Sequence, residues 1–384
     1  IIKGGFAFEL YDTFGFPIDL TNLLAEEKGL KVDMPAFESE LKQQKERSRE
    51  ATKVDTGDWV EVFKDDKEEF IGYDQTSAKV KISRYRKVKQ KNKELFQLVF
   101  NLTPFYPEGG GQVGDTGYIE FNGEKVSILD TKKENLLIVH FVEELPTNLE
   151  AEFHAQVNES KRRKTAANHS ATHLLHESLR RTLGKHVMQK GSLVAPDRLR
   201  FDFSHMKPIT NDELETIDKL VNEYVSNSSE VTTRIMTPKA AIEKGALAFF
   251  GEKYGEEVRV VSMGEEKEAY FSTELCGGTH VKNTGDIGKF KTISQSSIAA
   301  GVRRVEALRD KQLEDFIRNK ENLSTLSTQK DEDTIKDLSS QIIKLGGKPN
   351  VDNDDLKEII KNLSRQLEQL NVSSVLQDKT KNII

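Results

Sequence analysis

The sequence contains little cysteine, no long apolar run and no excess of positive charge. One cysteine among 384 residues excludes an intramolecular disulfide framework and indicates a reducing compartment, so we expect a cytoplasmic protein. No apolar run is long enough to cross a bilayer and no secretory leader is recognisable, so we expect no membrane partner. The net charge of −6 argues against broad adhesion to nucleic acid, so any RNA contact must use local basic patches.

Four residues form the clearest chemical pattern. His169 and His173 are one helical turn apart, a spacing that puts two imidazoles on one helix face. Cys276 and His280 flank two glycines in a second segment, where a tight turn would bring thiolate and imidazole together. Three histidines and one cysteine suit Zn²⁺, and we predict one zinc ion per chain.

Each half of this pattern also has a simpler interpretation. A histidine pair at helical spacing is often packing or chance, and a lone cysteine is usually a small buried hydrophobe. The presence of both halves in one sequence favours a metal site over these simpler interpretations. A metalloprotease is disfavoured because Ser170 stands where that motif needs a glutamate base. Since four protein ligands would close a tetrahedral shell, we expect one of them, His280, to be weakly held if the metal is catalytic.

A glycine-rich stretch lies between predicted strands. Its spacing matches G-x-G-x-x-G, but no strand-loop-helix unit surrounds it, which disfavours a dinucleotide site. The stretch is either a tight turn of a β-barrel or a place where backbone approaches a ligand closely. The residues concerned are Gly109, Gly110, Gly111, Gln112 and Asp115.

The chain divides into four parts of different pattern, and the fold class expected is α+β. Residues 1–52 read as helices, and residues 53–157 as short strands forming a small β-barrel. Residues 158–309 mix helices and strands around the zinc ligands. Residues 310–384 repeat apolar positions at helical spacing amid charge, which predicts a helical arm or a helical pair packed on its own domain.

Several polar residues are open to two interpretations. Arg303 and Arg304 are either surface charges or guanidinium forks that bind phosphate. The basic run from Lys79 to Lys93 is either a solvated hairpin or an RNA contact. Residues 161–164 are either a solvated helix end or a phosphate contact. Gln189, in a predicted strand, is most simply solvated.

The chain resembles the editing domain of alanyl-tRNA synthetases. The resemblance rests on HSATHLLHESLRRTLGKHVMQKGSLV and STELCGGTHV, with their HxxxH and CxxxH zinc motifs, and on PFYPEGGGQVGDTG and AAGVRRVEAL. The opening FELYDTFGFPIDLT is similar to the end of a synthetase's tRNA-recognition region. The resemblance covers nearly the whole chain, and together with the start at Ile1 it implies a C-terminal piece of a synthetase.

The resemblance also implies roles for residues. Thr172 and Gln189 would line the editing pocket as catalytic residues, the glycine-rich stretch would form a wall of the tRNA-end site, and Arg303 or Arg304 would contact RNA. Residues 1–52 would end the tRNA-recognition region, residues 158–309 would be the editing domain, and residues 310–384 would lead to a truncated dimerisation domain, with homodimers as the implied assembly.

The implied activity is hydrolysis of alanine tRNA mischarged with serine or glycine. The parent enzyme would attach alanine with ATP and Mg²⁺, in an aminoacylation domain that this chain lacks. Thr172 is the candidate handle for the serine hydroxyl. The alternatives are a free-standing alanyl-tRNA editing hydrolase and an RNA-binding module with structural zinc.

Overall fold

The computed structural model describes residues 1–13, 18–51, 55–64, 69–90, 93–247, 255–267, 269–351 and 355–381. The chain forms two compact units, residues 1–312 and residues 313–384. The first unit combines helices with antiparallel sheets, which confirms the predicted mixture of α and β structure. No helix among the described residues is long and apolar enough to cross a membrane.

Three helices open the chain, α1 (Gly4–Asp12), α2 (Ile18–Glu27) and α3 (Met34–Ala51). Asp33 caps α3, because its carboxylate accepts a hydrogen bond from the backbone N–H of Ala36 at 3.2 Å. Phe8 and Tyr11 of α1 pack on the ring of Phe37 in α3, with ring centroids 6.3 and 5.7 Å apart. The sequence also predicts a helix start near Pro17, a residue that lies outside the described part of the chain.

Short strands fill the next hundred residues. They are β1 (Asp55–Thr56), β2 (Val60–Glu61), β3 (Glu69–Phe70), β4 (Ser77–Gln90), β5 (Lys93–Phe100), β6 (Leu102–Thr103), β7 (Gly117–Phe121), β8 (Glu124–Ile128), β9 (Asp130–Glu134), β10 (Leu137–Val142) and β11 (Glu152–Val157). The main sheet has the order β8-β7-β11-β4-β5-β10-β9, with β1 and β2 on β4; β3 and β6 pair separately. Alternate residues such as Phe153, Ala155 and Val157 face one apolar core, as the period of two in a strand requires.

The predicted β-barrel requires a correction. The sheet path is open between β8 and β9, and among the described residues no ladder of hydrogen bonds joins these two strands. Instead, Leu129 alone separates them along the chain, and its backbone N–H donates to the carbonyl of Phe141. Strands β8 and β9 are thus consecutive in the chain although they stand at opposite ends of the strand order. The sheet therefore curves around its core, but no ladder of hydrogen bonds closes it.

A long helix and two smaller sheets follow. The helices are α4 (Glu159–Leu183), α5 (Asn211–Ser226), α6 (Pro238–Glu243) and a 3₁₀ turn (Thr284–Ile287). One sheet has the order β12-β13-β18-β17, from β12 (Gln189–Val194), β13 (Leu199–Ser204), β17 (Phe290–Ala299) and β18 (Val302–Arg309). The other has the order β14-β15-β16, from β14 (Thr232–Met236), β15 (Val258–Glu265) and β16 (Tyr270–Leu275).

Helix α4 is the centre of this second core. Asparagine before a helical pattern and glycine after it predict the two ends of this helix. In the structure, Asn158 caps it by accepting from the N–H of Lys161, and the helix ends at Gly184 with φ of 118°. Most of its residues from Thr165 to Leu179 are buried, because β12, β13 and β16 pack around it. A helix buried on this scale can hold polar side chains in fixed places.

A buried ion pair joins α4 to the large sheet. The guanidinium of Arg162 binds the carboxylate of Asp115 and donates to the carbonyls of Gly72 and Pro104 at 2.6 and 2.8 Å. Asp115 also accepts from the N–H of Tyr106 at 2.7 Å. Both side chains are more than nine-tenths buried, so Asp115 and Arg162 are structural partners and neither faces open solvent.

The second unit consists of helical structure. Helix α7 (Asp310–Lys344) and helix α8 (Leu356–Lys381) contact each other through Ile342, Ile359 and Leu363. Gly346, with φ of 77°, lies in the turn between them, where the sequence predicts a break.

We expect Arg162→Met to lower the free energy of unfolding by about 3 kcal/mol, because the buried Asp115 would lose its partner. Urea unfolding followed by the fluorescence of Trp59, the single tryptophan, measures this. Arg163→Met is the matched control, since the neighbouring Arg163 is exposed. Equal midpoints for both variants would contradict the structural role of the pair.

Candidate metal centre

The four predicted ligands meet at one point. Histidines 169 and 173 come from α4, while Cys276 and His280 come from the loop after β16, and their ligand atoms all lie within 4.8 Å of one another. The Sγ atom of Cys276 is 3.4 Å from Nε2 of His169 and 3.2 Å from Nε2 of His280. The edge of a tetrahedral zinc shell is about 3.5 Å, given metal-ligand distances of about 2.0 to 2.3 Å. The group therefore has the spacing of a metal site.

Gln112 fixes the orientation of His169. Its Oε1 accepts from the backbone N–H of Thr279 at 3.0 Å, so this atom is the acceptor and Nδ1 of His169, 2.8 Å away, must be the donor. The lone pair of His169 is then on Nε2, which faces Cys276. Nε2 of Gln112 donates to the hydroxyl of Thr279 at 2.9 Å, so every polar atom of this buried side chain is used.

The other two histidines have different supports. Nδ1 of His280 lies 3.1 Å from the hydroxyl of Ser170, which also accepts from the N–H of Val281 at 3.2 Å. Nδ1 of His173 lies 3.6 Å from a carboxylate oxygen of Glu274 and makes no hydrogen bond within the described structure. His280, expected to be the weakly held ligand, is thus oriented more firmly than His173.

His176 shares the face of α4 with the two predicted ligands, and the sequence alone is consistent with either a residue that supports a ligand or a surface histidine. In the structure it is buried. It donates from Nδ1 to Glu274 at 2.9 Å, which excludes the surface alternative. The Glu274 carboxylate is therefore shared between His173 and His176. Sequence reasoning missed Glu274, although its position two residues before Cys276 in β16 was a usable signal.

Burial keeps the imidazoles neutral. It lowers the pKa of His169 to about 3, and the nearby His173 adds to this effect. It also lowers the pKa of His173, against the opposing charge of Glu274, and brings the pKa of His280 well below its ordinary value. Neutral imidazoles carry the lone pairs that metal binding needs, so the group is ready to bind at neutral pH.

The loop that carries Cys276 is held from outside by two side chains. The Tyr73 hydroxyl donates to the carbonyl of Gly277 at 2.6 Å, and Arg259 donates to the carbonyls of Cys276 and Gly278 at 3.1 and 2.8 Å. The Arg259 guanidinium also lies 4.4 Å from the ring centre of Tyr73. No sequence pattern marked either residue, because both contacts arise from tertiary packing.

Three of the four candidate ligands, His169, His173 and Cys276, form the floor of a cleft of about 720 Å³ between the large sheet and α4. Thr172 and Gln189, the predicted catalytic residues, both line it. The Thr172 hydroxyl donates to the carbonyl of Asn168 at 2.8 Å, which leaves its lone pairs as acceptors. Gln189 is half-buried beside Ser192.

Two residues of the glycine-rich stretch line the cleft, and the others lie in or behind its wall. Gly109 and Gly110 line the cleft, and Gly110 has φ of 59°. Gly111 packs on β12, where a β-carbon would overlap Ser192. Gln112 and Asp115 are buried behind this wall. Their predicted contact with substrate stays a prediction, and their described partners all belong to the protein.

The two arginines of β18 are not among the described residues that line the cleft, although Asp202, the partner of Arg304, lies beside Gly191, which does. Arg304 donates to both carboxylate oxygens of Asp202 at 2.7 and 2.8 Å, and Arg303 donates to Gln295 at 3.0 Å. Both are half-buried, so neither is a simple surface charge. Their RNA contact stays a prediction.

Comparisons with known proteins match this chain along its length. The family model for class II tRNA synthetases (A) matches residues 1–161, and the model for the threonyl and alanyl tRNA synthetase second additional domain matches residues 258–306.

Curated relatives of this chain bear the name alanine–tRNA ligase, and three of them illustrate the similarity. The one from Christiangramia forsetii is 48% identical over 100% of this chain and 42% of its own length. Those from Bacteroides fragilis and Cytophaga hutchinsonii are 49% and 50% identical over 88% and 82% of this chain, and over 37% and 36% of their own lengths. The chain thus spans well under half the length of these relatives.

We expect Gly278→Ala to weaken divalent-metal binding at least tenfold, because a β-carbon there would overlap the imidazole of His169 and displace a ligand. Titration of the metal-free protein with Co²⁺, followed by d–d absorption, measures this. Gly277→Ala is the matched control, since the nearest atom to its β-carbon would be 3.8 Å away. Unchanged affinity in Gly278→Ala would mean that His169 is not a ligand.

Proposed function

The chain belongs to the alanine–tRNA ligase family, and from this premise we propose that its cleft hydrolyses the ester of alanine tRNA mischarged with serine or glycine. The observation that carries the proposal is the group of three histidines and one cysteine at the floor of a cleft that also holds Thr172 and Gln189. Attachment of alanine with ATP and Mg²⁺ is proposed for the whole protein, of which this chain is the smaller part.

Zinc is the metal that the donor set favours. Three neutral imidazoles and one thiolate match its borderline-soft preference and its four-coordinate geometry. A bound zinc ion would supply a Lewis acid beside the ester or the amino acid. The residues that would hold it are His169, His173, Cys276 and His280, with Gln112, Ser170 and Glu274 orienting the rings.

Thr172 suits the recognition of serine. Its hydroxyl already donates to Asn168, so it can accept a hydrogen bond from a second hydroxyl in the cleft. A pocket that selects alanine cannot exclude glycine by size and rejects serine only weakly, so a second site with a polar handle is needed. Gln189 and Gly110 would orient the aminoacyl ester from the opposite wall of the cleft.

One observation favours a second candidate, an RNA-binding module with structural zinc. Four protein ligands fill a tetrahedral shell, which is typical of structural sites. In that case catalysis would rest on Thr172, Gln189 and the hydroxyl of the tRNA itself. A free-standing editing protein is less favoured, because residues 1–161 match the class II synthetase model.

Deacylation assays decide between these functions. We expect the chain to hydrolyse seryl and glycyl esters of alanine tRNA much faster than the alanyl ester, and to lose the activity when a chelator removes its metal. Re-addition of Zn²⁺ should restore it. Equal cleavage of all three esters, or none, would remove the editing hypothesis; full activity of a folded, metal-free chain would make the zinc structural.

We expect Thr172→Val to slow seryl-tRNA hydrolysis about fivefold and to spare glycyl-tRNA, because one hydrogen bond contributes about 1 kcal/mol. Initial rates on both substrates measure this. Thr182→Val, on the same helix outside the cleft, is the control. Equal losses on the two substrates would contradict the proposed handle.

A further inference from the structure

The cleft is far larger than a seryl or glycyl group requires. Beyond the metal group, its lining becomes apolar, and this part consists of Phe70, Tyr73, Tyr106, Leu136 and Ile138. We call these five residues the aromatic wall. In the proposed aminoacyl ester, the amino acid is attached to a nucleotide. The aromatic wall is therefore in a position to contact that nucleotide.

Tyr73 is held in place by three neighbours. Its hydroxyl donates to Gly277, Arg259 lies over the ring, and Phe70 packs against it in a T-shaped arrangement with centroids 4.9 Å apart. Even so, 45% of the residue remains exposed. A rigid, partly exposed ring loses little conformational entropy when a flat ligand stacks on it.

Leu136 adds an apolar surface that the fold itself does not use. It lies in the turn between β9 and β10, after Asn135 with φ of 55°, and 86% of it is exposed. A large aliphatic side chain at a tight turn gains nothing from folding when it remains in water. Its position in the lining of the cleft gives it a ligand to contact.

The rim of the cleft carries positive charge, which favours the binding of the phosphates of a nucleic acid. Lys133 and Lys190 line it and are both exposed. The one acidic residue of the lining, Glu108, is paired with Lys132 at 3.4 Å. The lysines therefore face the cleft without compensation from Glu108, which suits phosphate groups.

We propose that the aromatic wall binds the terminal nucleobase of the RNA, stacked on Tyr73 and covered by Leu136, with Lys133 and Lys190 near the adjoining phosphates. The proposal rests on the proposed function, since it names how the same cleft holds the nucleotide that carries the ester. Single-stranded RNA ends are typically bound in this way, by aromatic side chains and lysines.

A non-hydrolysable pair of ligands tests the wall without relying on catalysis. The first is adenosine with serine joined to its 3′ position through an amide, and the second is the same compound with a ribose that lacks the base. Calorimetry on the metal-loaded chain should show at least tenfold tighter binding of the first. Equal binding of the two would overturn the proposal.

Substitutions then locate the base. Leu136→Ser and Tyr73→Leu should each reduce the preference for the base-containing ligand about tenfold, whereas Tyr73→Phe, which keeps the ring, should retain it. Tyr118→Leu, in β7 outside the cleft, is the matched control. Metal content is measured for each variant, because Tyr73 also holds the loop at Gly277; Leu136→Ser touches no part of that loop and is decisive if Tyr73→Leu loses metal.

The outcomes separate the two proposals. A preference for the base that Leu136→Ser abolishes, in a chain that cleaves no seryl ester, would support the wall and reject the editing function. Ester cleavage combined with an unchanged preference in Leu136→Ser and Tyr73→Leu would do the reverse. An equal loss of preference in Tyr118→Leu would reject the wall.

Discussion

The carboxamide of Gln112 is the contact on which the arrangement of the site depends. It accepts from both His169 and the backbone of Thr279, and it donates to the hydroxyl of Thr279. The glycine-rich turn, α4 and the cysteine loop are thereby joined through one buried side chain. Because a buried amide with an unsatisfied group costs free energy, these three segments are held in one relative position. The tautomer of His169 follows from the same contact.

A second constraint positions that amide. The buried pair of Arg162 and Asp115 ties the first turn of α4 to the strand-rich part of the chain, close to the glycine-rich turn. Burying two charges is costly unless further hydrogen bonds accompany the pair, and here the carbonyls of Gly72 and Pro104 and the backbone N–H of Tyr106 supply three. The pair therefore restricts the movement of the two cores that border the cleft relative to each other.

The metal group and the aromatic wall give the two ends of the cleft different chemistry. Neutral imidazoles and a thiolate offer lone pairs at the floor, whereas Tyr73 and Leu136 offer apolar surface farther out. The Tyr73 hydroxyl and Arg259 link the two ends, since both hold the loop of Cys276. A ligand stacked on Tyr73 would therefore contact a residue that also holds the loop of Cys276, one of the candidate metal ligands.

The sequence by itself determined the features that depend on local spacing. The one-turn separation of His169 and His173, the cap at Asn158, the end at Gly184 and the Cys276 to His280 loop all follow from short-range geometry.

Only the tertiary structure decided which polar groups serve the site and which serve the fold. Tyr73 and Arg259 reach the metal group from segments that are distant from its ligands in the chain. Ser170 and Glu274 are close to ligands in the sequence, but only the fold shows which ring each of them supports. Asp115, Arg303 and Arg304 have protein partners in the fold, and their predicted contacts with substrate stay predictions. The sheet expected to close as a barrel remains open at Leu129. The physical reason is that a charged side chain has the same pattern in sequence whether its partner is a phosphate or a carboxylate, and packing alone selects the partner.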